Sequence, residues 1–249
     1  MADTNLNGLR VAILATDYFE QVELTEPKKA LEQAGATTKI VAPEPKKGQI
    51  TGFNHDTKGD TFKVDLALEQ ANPADFDAVL LPGGALNADN LRVDAKAQEF
   101  IRQIDQAQKP IAVICHGSWL LVSAGLTKGR KLTSYHTIQD DIRNAGGHWE
   151  DSQVVRDGNW VSSRQPDDIP AFNREMLALF SQPKSEAATT QSPTQSSTGQ
   201  TVPEGAYTSE SLLGNQSIEK IKDAVGYQEN LKGQDEILIQ GDHQSSQNH

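Results

Sequence analysis

Three short, near-continuous apolar runs constrain this chain more than any other feature. Leu9-Arg-Val-Ala-Ile-Leu-Ala15, Asp77-Ala-Val-Leu-Leu-Pro-Gly83 and Ile111-Ala-Val-Ile-Cys115 read as strands buried on both faces, as in a parallel sheet covered by helices. Amphipathic stretches separate them. Mixed polar and apolar residues from Glu20 to Ala34, closed by Gly35, predict a helix that starts or kinks at Pro27. Thr37 to Ala42 predicts a second strand, and Pro43 to Gly48 a loop. Helices are expected from about Asp94 to Gln108, Gly117 to Ala124 and Ile138 to Ala145, with a short strand at Leu132 to Tyr135. A hairpin from Val154 to Ser163 turns at Asp157-Gly158, and Asp167 or Asp168 can cap a last helix through Phe180. This alternation implies an α/β domain with a mostly parallel sheet, in which ligands bind at the carboxyl ends of the strands.

The pattern ends near Pro183, and composition changes there too. Of the 14 aromatic residues only Tyr207 and Tyr227 lie beyond it. Of the net charge of −11, the first 183 residues carry 19 basic against 25 acidic groups and the remainder 4 against 9. From Ser185 to Thr201, 12 of 17 residues are Ser, Thr or Gln, too polar to offset the entropy of ordering, so residues 184–249 are expected to be a disordered acidic tail following a domain at 1–183. Within it, Ser217 to Val225 could form a brief amphipathic helix and Glu236 to Gln240 a short strand, either as a docking segment or as parts of a tolerated solvated extension, the reading favoured.

Several classes are excluded. A single cysteine rules out an internal disulfide and any zinc site with two thiolates. No apolar run approaches the roughly 20 residues of a membrane span, and Met1-Ala-Asp-Thr-Asn-Leu-Asn-Gly lacks the basic and apolar regions of a signal peptide, so a cytoplasmic location and no membrane partner are expected. Acidity in both halves argues against a nucleic-acid surface.

The one cysteine is also the sharpest functional signal. Cys115 ends the most apolar strand and Gly117 opens a helix, so the thiol stands at a tight strand-to-helix turn like a nucleophile elbow, where helix N–H groups favour thiolate. The plainer reading is a small buried hydrophobe. His116 follows directly; adjacent side chains usually diverge, so its ring need not be the base, but its N–H suits an oxyanion hole. Glu20 and Gly84 fall at two other strand ends on the same edge, giving a candidate acid and a second N–H donor.

The motifs Asp17-Tyr-Phe-Glu-Gln-Val-Glu-Leu24, Phe76-Asp-Ala-Val-Leu-Leu-Pro-Gly-Gly84, Ile114-Cys-His-Gly117, Lys128-Gly-Arg-Lys-Leu-Thr133, Asp140-Asp-Ile-Arg-Asn-Ala-Gly146 and Val161-Ser-Ser-Arg-Gln-Pro-Asp-Asp168 resemble the DJ-1/PfpI family. The resemblance runs from about Leu9 to Gln182 and is to the PfpI branch of intracellular-peptidase-like and bacterial stress proteins. It implies a flavodoxin-like three-layer sandwich, similar to class I glutamine amidotransferases, with Cys115 as nucleophile. It further implies Glu20 as the acid hydrogen-bonded to the thiol, His116 as partner histidine, and the Gly84 and His116 N–H groups as oxyanion hole. In that branch an acid of a neighbouring subunit orients the histidine; counting back from Arg92, the match is Asp89, in a loop one residue longer than in the archaeal members. Ser118 stands where relatives usually have proline. A dimer or hexamer is implied, and no cofactor.

Other signals are weaker. His148-Trp149-Glu150 mimics the His-x-Glu of class I glutamine amidotransferases but lies too near the cysteine, and reads as surface. His55 and His136 are expected to be polar loop histidines, and Trp119 and Trp160 packing residues. The six histidines show no metal-ligand spacing. The expected function is a cysteine-dependent stress-protection enzyme acting on glyoxal, methylglyoxal or their early adducts on proteins and peptides. An intracellular cysteine peptidase is the alternative, and a thiol redox sensor or chaperone-like protein the reading from another class.

Overall fold

A computed structural model describes residues 5–43, 45 and 48–182. The expectations for residues 184–249 lie outside them. In chain order the strands are β1 (Arg10–Leu14), β2 (Phe19–Glu20), β3 (Thr37–Ala42), β4 (Gln49–Asn54), β5 (Thr57–Lys63), β6 (Leu66–Ala67), β7 (Ala78–Leu81), β8 (Ile111–Ile114), β9 (Lys131–Leu132), β10 (His148–Trp149), β11 (Val154–Asp157) and β12 (Trp160–Ser163). The helices are α1 (Gln21–Gln33), α2 (Ala85–Arg92), α3 (Ala95–Gln106), α4 (Ser118–Ser123), α5 (Gln139–Asn144) and α6 (Ile169–Phe180).

The main sheet has the order β11-β12-β8-β7-β1-β3-β6 and is parallel except for the β11–β12 hairpin. Its residues alternate between two cores. Val11, Ile13 and Ala15 of the β1 segment face Leu24 and Leu31 of α1 and Phe172 and Met176 of α6. Ala12 and Leu14 face the other way, with Phe100, Ile101 and Ile104 of α3 and Leu120 and Leu121 of α4. The apolar runs are continuous because both faces are covered, and the result is the expected three-layer flavodoxin-like sandwich. Strand order reverses between β1 and β7, which opens a crevice at their carboxyl ends.

Several local expectations change. α1 begins at Gln21 and runs through buried Pro27, because its inward residues Glu23, Leu24, Pro27 and Leu31 all pack, and packing outweighs the one backbone bond proline forgoes. The β4–β5 hairpin and α2 carry no strong apolar period and were not anticipated; the first turns at His55-Asp56, with His55 at φ +59°. The strand expected at Leu132 to Tyr135 is the shorter β9, which pairs with β10 outside the main sheet. Asp168 occupies the N-cap of α6 but makes no capping bond, since Arg164 donates to its carboxylate from Nε at 2.8 Å and Nη2 at 3.1 Å.

Candidate active site

The crevice is built by the ends of β1, β7 and β8. After Ile114 the chain makes a single 3-10 turn, Cys115–Gly117, into α4. Cys115 adopts φ +61°, a left-handed conformation that costs a β-carbon-bearing residue roughly 1–2 kcal/mol and exposes strain at the turn. That conformation has a second effect. It folds the next side chain back, so His116 Nδ1 lies 3.2 Å from Cys115 Sγ despite their adjacency. The N–H groups of Gly84 and His116 both hydrogen-bond the sulfur, so these two donors meet at one atom.

Gly83 makes the close approach possible. A β-carbon there would overlap Glu23 Oε2 and lie 2.6 Å from Cys115 Cβ. Gly84, at φ +88°, packs against the backbone of the β2 segment: a β-carbon would meet Glu20 N at 2.5 Å and Tyr18 O at 2.7 Å. Buried Asn87 of α2 locks this arrangement. Its side chain accepts from Thr16 N–H at 2.8 Å and donates to the carbonyls of Pro82 (3.1 Å) and Gly83 (2.9 Å).

The acid that interacts with the thiol is Glu23, not Glu20. Glu20 is the N-cap of α1 with extended backbone, so its side chain leaves at the pocket edge; Glu23 lies in the first turn on the inward face. Glu23 is fully buried, and its Oε2 accepts the Gly83 N–H at 2.9 Å. Burial, then the negative charge of Glu20, push its carboxyl up to about 8, against the hydrogen bonds from Cys115 and Gly83. At neutral pH it is therefore mainly protonated. Burial also pushes the Cys115 thiol up, and an ionised Glu23 would push it further, whereas the two backbone N–H groups lower it. While Glu23 keeps its proton, it carries no charge to repel a thiolate and has a hydrogen to give it.

Glu20 lines the pocket mouth and accepts from the backbone N–H of His55 at 3.1 Å, with the His55 ring 3.5 Å away. His116 is held neutral, first by burial and then by the nearby His136. Its ring packs edge-on to Trp119 at 5.3 Å and against Tyr135 at 4.9 Å, and Nε2 lies 3.3 Å from Thr137 Oγ1. Asp89 is exposed on α2 and does not line the pocket of this chain. His136 stacks on Tyr135, whereas His148 lies on β10, apart from the pocket.

Above the sulfur is a cavity of about 450 Å³ with Tyr18, Phe53, Leu86 and Tyr135 as walls and Glu20 and Asp56 at its mouth. Among the described residues no lysine or arginine lines it. Cys115 is only 6% exposed at its base. Among the described residues no three His, Cys, Asp or Glu side chains stand together so as to hold a metal ion.

A sequence profile of the DJ-1/PfpI family matches residues 9–179. The chain belongs to the DJ-1/PfpI family. Deglycase PfpI of Pyrococcus furiosus is 45% identical to this DJ-1/PfpI protein over 172 residues, 69% of this chain and 99% of that one. Protein/nucleic acid deglycase 2 of Escherichia coli is 41% identical over 173 residues, 69% of this chain and 97% of that one. Among solved structures, a two-domain Anabaena variabilis protein with DJ-1/ThiJ/PfpI-like and ferritin-like domains superposes with a TM-score of 0.64 at 29% identity, covering 68% of this chain and 47% of that one. The matched region contains every site residue described above. Sequence reasoning missed Glu23 and Thr137: Glu23 stands inside the quoted Asp17–Leu24 motif but looks like an ordinary helix-start acid.

Proposed function

We propose that this protein is a thiol-dependent enzyme that acts on reactive carbonyls, glyoxal and methylglyoxal or the early adducts they form on amines of proteins and peptides. One observation carries the reading: a fully buried carboxyl, that of Glu23, lies beside the only cysteine at a pocket that Cys115 and Glu23 both line. The deglycase names of the relatives support it.

The Cys115 sulfur attacks the aldehyde carbon, forming an S–C bond while the carbonyl π electrons move to oxygen. The Gly84 and His116 N–H groups, already directed at the sulfur, stabilise that oxygen. His116 Nδ1, at 3.2 Å, takes the thiol proton, and Glu23 holds a proton beside the sulfur. The aldehyde C–H bond then breaks and its hydrogen passes to the neighbouring carbonyl carbon, so the first carbon is oxidised to a thioester as the second is reduced to an alcohol; one water cleaves the S–C bond, releasing the hydroxy acid and the Cys115 thiol, and from an early adduct the amine leaves as the S–C bond forms.

The low exposure of Cys115, 6%, supports this reading over the peptidase alternative, since it admits a slender aldehyde more readily than a polypeptide backbone. Phosphate-rich substrates fit poorly at a mouth flanked by Glu20 and Asp56. The test is methylglyoxal consumption by the full chain, beside Cys115→Ala. Loss of turnover in the variant is expected; no consumption by wild type, or equal consumption by both, overturns the reading. Selective oxidation of Cys115 by mild peroxide without turnover would instead favour a redox sensor.

A further inference from the structure

We infer that the mouth of the Cys115 pocket is a cation subsite, in which Glu20 and the Tyr18–Phe53 ring pair hold a guanidinium group. The preferred substrate is then a carbonyl adduct on a guanidinium, rather than a free dicarbonyl or an adduct on a neutral thiol. The inference rests on the carbonyl-enzyme reading and deepens it by naming the group that carries the adduct.

The cavity is larger than a free dicarbonyl needs. At about 450 Å³ it lies in the range that takes a drug-sized molecule, well beyond a three-carbon aldehyde. Its mouth is one-sided in charge, with the carboxylates of Glu20 and Asp56 and, among the described residues, no lysine or arginine. Lys58 belongs to an adjoining groove that shares Tyr18 and Phe53 but not Glu20 or Asp56. The Glu20 side chain is only 13% exposed, and its Oε2 accepts the His55 N–H at 3.1 Å, with the exposed His55 ring 3.5 Å away. Its Oε1 has no hydrogen-bond partner among the described residues.

The rings beside it are set in place at some expense. Tyr18 packs edge-on to Phe53, with centroids 4.7 Å apart, yet remains 40% exposed. Its φ of +68° is a strained, left-handed conformation for a tyrosine. Two bonds to the Thr51 backbone pin it: the Tyr18 N–H donates to the Thr51 carbonyl at 2.7 Å, and Asp17 Oδ1 accepts the Thr51 N–H at 2.8 Å. Among the described residues four other than glycine have positive φ, and three of them, Tyr18, His55 and Cys115, line this one pocket. Folding alone gains nothing from a strained, exposed tyrosine, whereas a ligand that covers its ring does. An aromatic face beside a carboxylate suits a guanidinium, since the planar group stacks on the ring while its N–H groups donate to the oxygen; an ammonium has no flat face to offer.

The base of the pocket offers a second polar atom that the fold leaves unused. Glu23 Oε1 is buried and has no hydrogen-bond partner among the described residues. The carbinol hydroxyl of an early adduct both donates and accepts, so it satisfies this oxygen whether or not Glu23 carries its proton. Such an adduct thus places its hydroxyl beside the thiol and its nitrogen group at the mouth. Addition of a guanidinium N–H across an aldehyde leaves the guanidinium charged. As the S–C bond forms, the C–N bond breaks and the thiol proton ends on the leaving nitrogen, so the charge at the mouth is the same before and after.

The test uses the full chain, in which Cys115 is the sole thiol, so protection from iodoacetamide reports one site. The protecting probes are the amides of Nα-acetylarginine and Nα-acetylcitrulline, alike in shape and different in charge. The arginine compound should protect at a roughly 3- to 10-fold lower concentration. Glu20→Gln still accepts the His55 N–H but is neutral, and should bring the two compounds within about twofold of each other. Tyr18→Leu keeps the charge and removes the ring, and should lessen the preference roughly 2- to 5-fold. Equal protection by the two compounds in wild type overturns the proposal, as does an arginine preference that Glu20→Gln leaves intact. No carbonyl enters this measurement, so it stands apart from the carbonyl-enzyme reading. The substrate class is read next, as hydroxy acid formed from methylglyoxal alone and from methylglyoxal equilibrated with the arginine amide, matched for free aldehyde. Faster formation from the equilibrated mixture is expected in wild type, with the excess shrinking in Glu20→Gln; no excess overturns the guanidinium-adduct assignment. No hydroxy acid from either mixture overturns the carbonyl-enzyme reading, and the substrate assignment with it, while the cation subsite stands or falls on protection.

Discussion

Glu23→Gln should make the protein more stable and less reactive, by an amount that depends on pH. Burial raises the Glu23 carboxyl from the ordinary 4.5 to about 8. Below about pH 4.5 the folded and unfolded chains both hold this proton, and the group contributes nothing to pH dependence. Between about 4.5 and 8 the unfolded chain has lost the proton and the folded chain has kept it, so stability falls as pH rises, by ~1.4 kcal/mol per pH unit. Above about pH 8 the deficit levels at ~5 kcal/mol, and at pH 7 it is already ~3 kcal/mol. Glutamine fills the same space, still accepts the Gly83 N–H, and titrates in neither state. The variant should therefore melt about 6–12 °C above wild type at pH 7, taking about 2–4 °C per kcal/mol for a domain of this size, and nearly with it at about pH 4.5. Thermal unfolding of both proteins across that range, by calorimetry or circular dichroism, measures the difference. Alkylation of Cys115 should move the opposite way, since an amide is a weaker donor to thiolate than a carboxylic acid. A melting-temperature difference that is the same at every pH, or a variant less stable at pH 7, would refute the reasoning.

Two further substitutions probe the frame around the thiol. Asn87→Ala removes three hydrogen bonds and leaves the Thr16 N–H and the Pro82 carbonyl unpaired, while the Gly83 carbonyl keeps the Glu20 N–H at 3.3 Å, so a loss of ~2–4 kcal/mol is expected in chemical denaturation, with slower Cys115 alkylation as Gly84 loosens. Ser118→Ala should do the reverse: the Ser118 hydroxyl is buried without a hydrogen-bond partner, and deleting it should add ~1 kcal/mol, visible as about 2–4 °C in melting temperature.

The strands and the elbow were legible because burial on both faces writes an unbroken apolar run, and a glycine next to a strand end marks a sharp turn. Cys115 and Gly84 followed from that alone. Glu20 and Glu23 could not be told apart in the same way. Both stand three residues apart at a helix start, and which one faces inward depends on where α1 begins, a boundary blurred by Pro27. The His116 ring was expected to diverge from the thiol because neighbours ordinarily do; only the positive φ at Cys115 brings them together, and no residue type announces it there. Thr137 is further from view, since its meeting with His116 depends on how a 21-residue stretch of chain returns to the Cys115–Gly117 turn. The β4–β5 hairpin has mostly exposed or half-exposed side chains, so its sequence lacks the signal that made the core strands plain.

The order of the main sheet also limits how this domain can associate. An edge strand exposes unpaired backbone groups and can recruit another chain into the sheet. Here one edge is β6, only two residues long, and the other is β11, four residues ending in Arg156 and Asp157. Neither offers a ladder long enough, or neutral enough, to add a foreign strand with much gain. Among the described residues the longer open edge is β5, seven residues at the rim of the β2-β4-β5 sheet, so strand pairing with another chain is disfavoured for the main sheet alone. The pocket opens at the strand ends rather than along either edge, so substrate entry and sheet protection are served by different parts of the same sheet.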